Sequence, residues 1–93
     1  MDYSFEWDEQ KNLTNQIKHR VSFEEAQEAF LDQDLRIFRY LEHSEGEERW
    51  YCLGKVTRGI LTVRFTYRGE IIRIFGAGFW RKGKRMYEQK RAS

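Results

Sequence analysis

Apolar and polar residues alternate from 2 to 7, with Tyr3, Phe5 and Trp7 on one side and Asp2, Ser4 and Glu6 on the other, the period-two pattern of a short half-buried strand. Asp8 then offers a helix N-cap, and Leu13 and Ile17, four apart, give a helix running to about Lys18 one apolar stripe. The sharpest boundary comes next. Ser22 followed at the third position by Glu25 makes a capping box, and Val21 with Ala26 has the spacing of a hydrophobic staple. The helix that begins there has Phe23, Ala26, Ala29 and Phe30 as its inner face, and Asp32-Gln33-Asp34 ends it.

Residues 35–41 predict an edge strand, and 42–48, with four acids, a histidine and Gly46, an exposed loop. Three strands follow at 49–55, 60–67 and 70–75, separated by turns on Thr57-Arg58-Gly59 and Arg68-Gly69. Connections this short make neighbours antiparallel, so the second half is expected to be a three-stranded meander packed on the two helices. On its middle strand Leu61, Val63, Phe65 and Tyr67 share the core face, while Ile60, Thr62, Arg64, Thr66 and Arg68 share a wet, cationic one. A last helix over 81–90 carries Met86 and Tyr87 among its cations.

Ninety-three residues support one core, and one domain over 1–93 is expected. With 40% hydrophobic and 16% aromatic residues the chain falls outside the disordered class. Cys52 is the single cysteine, which excludes an intramolecular disulfide, argues against a structural zinc site, and favours a small buried apolar residue over a reactive thiol. The first eight residues lack the basic, then apolar, pattern of a signal peptide, and no apolar run approaches the roughly 20 residues of a membrane span, so a cytoplasmic protein is expected.

Charge is split along the chain. Residues up to Glu48 carry a net −8 and those from Arg49 onward a net +10, so the overall +2 hides a bipolar chain. A basic half of this density attracts polyanions, nucleic acid above all, while the acidic half leaves room for a different partner.

Cleavage of RNA without a metal needs a group to deprotonate the ribose 2′-OH, cations to offset charge on the phosphate, and an acid for the leaving 5′-oxygen. The cations are plentiful: Arg68, Arg73, Arg81, Lys82 and Arg85 are candidate phosphate ligands, with Arg64 and Lys84 beside them. In the run Phe79-Trp80-Arg81-Lys82-Gly83-Lys84-Arg85-Met86-Tyr87 aromatic residues interleave with cations, so that a base can stack on Trp80 while its phosphates are held. The plainer readings are a solvated basic face for the cations, and core packing for Trp80 and Tyr87. His19 and His43 are the two histidines, the side-chain type most often used as a proton carrier, and His19, between the two helices, serves either in that role or as a turn filler. Glu45, Glu47 and Glu48 fit no calcium-loop or two-metal spacing. No cofactor is expected.

The residues Phe5-Glu6-Trp7-Asp8, Lys11, Asn15, Lys18-His19 and Val21-Ser22-Phe23-Glu24-Glu25-Ala26 resemble the opening signature of BrnT-family toxins. Glu47, Arg49, Gly54, Leu61, Val63, Thr66, Arg68 and Arg73-Ile74 fall where that family has its strand motifs, so the resemblance covers about 5–88. It implies an α+β, RelE-like fold with helices on a small antiparallel sheet and a basic C-terminal helix. It also implies a metal-independent endoribonuclease that inhibits translation and is neutralised by a ribbon-helix-helix antitoxin of the BrnA type, with DNA bound only through that complex. By the same resemblance Arg68 and Arg73 are phosphate ligands and Tyr87 an active-site residue of the last helix. Where many members end the last strand in Ser-Ala-Arg, this chain reads Gly76-Ala77-Gly78-Phe79-Trp80-Arg81, so glycine stands at a typical arginine position. Either Arg81 reaches that place or activity is weakened. Two rivals stay open: an inert module that binds nucleic acid or the antitoxin, and an interaction protein for an acidic partner.

Overall fold

The computed structural model describes residues 3–40 and 46–89. Among them the chain runs β1 (Ser4–Trp7), α1 (Glu9–His19), α2 (Phe23–Ala26), a 3₁₀ segment (Gln27–Leu31), β2 (Arg36–Tyr40), β3 (Arg49–Val56), β4 (Gly59–Arg68), β5 (Ile71–Gly78) and α3 (Arg81–Gln89). The fold is α+β. Both predicted caps are made: Asp8 Oδ1 accepts from the Gln10 and Lys11 amides, and Ser22 Oγ from the Glu25 amide.

The sheet is larger than a meander. Its order is β1-β5-β4-β3-β2, with β2 an antiparallel edge strand as expected and β1 lying parallel to β5 along the other edge. Periodicity could not announce that parallel pair, because residues 8–70 lie between its two strands. One face of the sheet carries the core, where Val21, Phe23, Ala26, Ala29 and Phe30 pack on Leu61, Val63, Phe65, Ile72, Ile74 and Ala77. All four residues predicted for the inner face of the second helix are buried.

The first helix corrects its prediction. Leu13 is 47% and Ile17 82% exposed, whereas Asn12 and Asn15 are buried, so α1 turns its polar side inward. The reason is hydrogen bonding. Beyond Ile74, β5 has no strand on its β1 side, and the Asn15 carboxamide takes that place: Nδ2 donates to the Ala77 carbonyl at 2.9 Å and Oδ1 accepts from the Ala77 amide at 3.2 Å. Nδ2 also donates to the Val21 carbonyl at 2.9 Å, and Asn12 Oδ1 accepts from the Phe23 amide at 2.8 Å. Two carboxamides thus stitch α1 to α2 and to the sheet, satisfying buried backbone groups that leucines there would leave unpaired.

The opposite face is half covered by α3. A methyl on Gly83 would stand 2.3 Å from Thr62 Oγ1, so glycine is what lets this helix lie directly on β4. Its later turns are fixed by Arg36, which donates to the Met86 carbonyl at 3.2 Å, and by Tyr87, whose hydroxyl donates to Asp32 Oδ2 at 2.5 Å. No helix among the described residues is long and apolar enough to cross a membrane.

Candidate functional site

Alternation on β5 is broken once. Arg64 of β4 faces Gly76 while the next residue, Phe65, faces Ile74, so Phe75 is an extra residue, a β-bulge. Past the bulge Gly76 and Gly78 fall on the helix α3 side of the sheet, opposite Arg64 and Thr62 respectively. On the other flank Tyr51 faces Arg64 and Leu53 faces Thr62. The sheet therefore offers a row Tyr51-Arg64-Gly76, and the missing side chain at its end makes room. A methyl on Gly76 would stand 3.1 Å from Arg64 Nε, and one on Gly78 only 2.6 Å from Cη2 of Trp80, whose indole folds back over that glycine.

Three side chains meet in that space. The Arg64 guanidinium carbon is 5.4 Å from the Trp80 ring centre, a cation–π contact, and the His19 imidazole meets the same indole edge-on at 5.2 Å. Among the described residues Arg64 Nε is buried and has no hydrogen-bond partner. A donor so placed has hydrogen-bonding capacity that the fold does not use.

Arg64 also separates and lines two hollows. The larger, about 650 Å³, opens between β2, β3, β4 and α3, with Tyr40, Tyr51 and Trp80 as aromatic walls and Arg39 and Lys82 as cations. The smaller, about 250 Å³, lies against α1 and is lined by Lys11, Lys18, His19 and Phe75 together with Arg64. The two hollows share Arg64 and are the candidate groove, with cations lining both and flat aromatic walls in the larger. The walls are themselves braced: Tyr51 stacks on Phe38 at 5.1 Å and 20°, and Tyr40 meets Tyr51 edge-on at 6.0 Å.

Of the residues singled out in the sequence, Arg64, Trp80 and Lys82 line the larger hollow, and Arg64 and His19 the smaller. Arg68 and Arg73 share the Arg64 face, since Thr66 opposes Arg73 and Ile71 opposes Arg68, yet they line neither hollow. Each is engaged by an acid, Arg68 with Glu47 at 3.1 Å and Arg73 with Glu6 at 2.8 Å. Arg81, Lys84 and Arg85 are exposed on α3, and no carboxylate among the described residues pairs with them. Arg81 does not fill the space over Gly78; Trp80 does. Tyr87 points into the fold and bonds Asp32. His43 and Glu45 lie outside the described residues. Tyr51, Tyr40, Arg39 and Lys11 were not anticipated as groove residues. The alternation of β3 carried a signal for Tyr51, since the cross-strand partner of a cationic-face residue lies on the same face.

Among the described residues no three His, Cys, Asp or Glu side chains cluster as metal ligands. No curated protein matches the chain. A family model described as the ribonuclease toxin BrnT of type II toxin–antitoxin systems matches residues 7–83. That span runs from the end of β1 to the first turn of α3 and takes in His19, Arg64, Trp80 and Lys82, the residues that meet in the groove. The chain belongs to the BrnT family of ribonuclease toxins of type II toxin–antitoxin systems.

Proposed function

We propose that the groove cleaves single-stranded RNA, mRNA in the first place, by metal-independent attack of a ribose 2′-OH on the adjoining phosphodiester, and that translation stops as a result. The 2′-oxygen bonds to phosphorus, the bond to the 5′-oxygen breaks, and the products are a 2′,3′-cyclic phosphate and a free 5′-hydroxyl. His19 takes the proton from the 2′-OH, and a water molecule gives one to the departing 5′-oxygen. Arg64 offsets the charge that builds on the phosphate oxygens, a role in which one preorganised donor contributes about a hundredfold to a thousandfold in rate. Bases stack on Trp80 and Tyr51 as Lys82 holds a neighbouring phosphate, while Arg39, paired with Glu48 at 2.8 Å, flanks the groove. Arg68, Arg73, Arg81, Lys84 and Arg85 extend the cationic surface along which the strand is drawn in. Tyr87 holds α3 in place.

The observation that carries this reading is the convergence of His19, Trp80 and Arg64, with the Arg64 Nε left without a partner. The partner that silences the groove is a ribbon-helix-helix antitoxin of the BrnA type, acting in the cytoplasm on the chain as one domain, and the complex binds operator DNA. The exposed pair Leu13 and Ile17 supplies an apolar foothold beside Lys11 and Lys18, which suits an amphipathic segment with acidic flanks that also covers the smaller hollow.

One observation favours a second reading. Trp80 occupies the space over Gly78, where an arginine is typical of the family, and an inert module that only binds RNA or the antitoxin is consistent with that exchange. The deciding experiment incubates the purified protein with a single-stranded RNA in the presence of a chelator. Fragments ending in a cyclic phosphate, abolished by a 2′-deoxy substitution at the cut, support cleavage. Retention of the RNA in a gel without fragments supports the inert module.

A further inference from the structure

In the capping-box arrangement the Glu25 carboxylate reaches back to the Ser22 amide. Here it is turned elsewhere. Both of its oxygens accept from Arg58, Oε2 from Nε at 2.8 Å and Oε1 from a terminal nitrogen at 2.5 Å. The same terminal nitrogen donates to the Arg20 carbonyl at 2.7 Å, and the guanidinium carbon lies 4.9 Å from the Phe79 ring centre. Arg58 stands on the turn between β3 and β4 and belongs to neither segment it joins. Those two segments carry the groove. Arg20 follows His19 directly, and Phe79 directly precedes Trp80.

Arg20 is also the point at which α1 needs outside support. It is the C-cap, the one non-glycine residue at positive φ among the described residues (59°), and its carbonyl has no continuing helix to receive a donor from. We propose that Arg58, forked onto Glu25, is a positioning residue that sets the His19–Trp80 contact and through it the seat of the scissile phosphate beside Arg64. A guanidinium suits the task because its planar fork fixes directions in the plane, to Glu25 and Arg20, while its face stacks on Phe79. An ammonium group has neither fork nor face. The catalytic consequence rests on the ribonuclease reading; the geometric claim does not.

The Arg58 side chain is 48% exposed, so replacing it removes the clasp without opening the core. The experiment takes the full chain as wild type and as Arg58→Ala, Arg58→Lys and Glu25→Gln. The chain has two histidines, so His43→Asn in all four leaves the His19 imidazole as the one set of imidazole proton resonances, displaced by the ring current of the Trp80 indole. Arg58→Ala and Arg58→Lys are expected to move that resonance toward the position it has in Trp80→Phe, and Glu25→Gln part of the way. RNA cleavage by Arg58→Ala should lose roughly 10- to 100-fold in kcat with KM little changed, the signature of misplaced rather than missing groups. An unmoved resonance, even with a lowered melting temperature, overturns the proposal, because Arg58 then only ties a turn to a helix. So does a moved resonance with kcat intact in an active enzyme, and so does full rescue by lysine. A moved resonance in a protein whose wild type cuts no RNA upholds the clasp and removes the ribonuclease reading instead.

Discussion

Replacing Asn15 by leucine tests the most unusual feature of the fold, a helix whose polar side is its buried side. Leucine has the same branched skeleton and would satisfy a reading based on hydrophobicity alone. In the structure it strips three hydrogen bonds, two to the carbonyls of Val21 and Ala77 and one from the Ala77 amide, and the backbone groups left behind are buried. Unpaired buried groups cost about 1–3 kcal/mol each, carbonyls at the low end, so the variant should lose about 3–5 kcal/mol. Against a total of roughly 5–15 kcal/mol for a domain this size, that is a large share. Urea unfolding followed by tryptophan fluorescence reads it as a fall in midpoint at constant slope. Asn15→Asp sharpens the test. Its carboxylate keeps the acceptor for the Ala77 amide but turns a second oxygen on two carbonyls, so its folded-state pKa lies above the ordinary carboxylate value of about 3.9. Protonation restores one donor. The stabilising contribution of the protonated form is therefore present below the unfolded value and lost as pH rises through the folded one, and the gap between Asn15→Asp and Asn15→Leu should shift in favour of Asp on acidification. A leucine variant within about 1 kcal/mol of wild type would refute the account of why α1 lies as it does.

Tyr87→Phe removes the hydroxyl that donates to Asp32 and should cost about 1–2 kcal/mol by thermal unfolding while leaving kcat for RNA cleavage unchanged; a collapse of kcat would return Tyr87 to the active site. Ile17→Asp, at a position 82% exposed, should leave the fold and RNA cleavage intact but weaken antitoxin binding more than tenfold, measured by calorimetry and by loss of rescue in growth assays; unchanged binding would move the antitoxin to another surface. Burial pushes the Cys52 thiol from its ordinary 9.0 up to about 12. Its neutral form is therefore a stability contribution present below pH 9 and lost between pH 9 and 12, and Cys52→Val should flatten that alkaline decline in urea midpoints; parallel declines in both proteins would contradict it.

Local signals were legible where the chain decides locally. Asp8 and Ser22 cap helices as their side-chain chemistry dictates, and Phe23, Ala26, Ala29 and Phe30 face inward as their spacing does. The misreading of Leu13 and Ile17 has a physical origin, since spacing tells which residues share a face and not which face turns inward. A free sheet edge made carboxamides the better buried groups. In the groove, Arg64, Trp80 and Lys82 were visible as cations and aromatics on one strand face and its sequel. Their convergence with His19 was not, because it depends on the Phe75 bulge, which brings Gly76 and Gly78 opposite Arg64 and Thr62. Arg68 and Arg73 looked equivalent to Arg64 in sequence. Only the register reveals that Glu47 and Glu6 engage them, whereas Arg64 stays beneath an indole.

That difference supplies the most direct test of the central claim, that Arg64 and not the arginines farther along the face steadies the phosphate as it is cut. Single-turnover cleavage of a single-stranded RNA in chelator would be compared for wild type, Arg64→Ala and Arg73→Ala. The account expects Arg64→Ala to be slower by about a hundredfold or more, with Arg73→Ala close to wild type. Cleavage by Arg64→Ala at the wild-type rate, or an equal loss in Arg73→Ala, would contradict it.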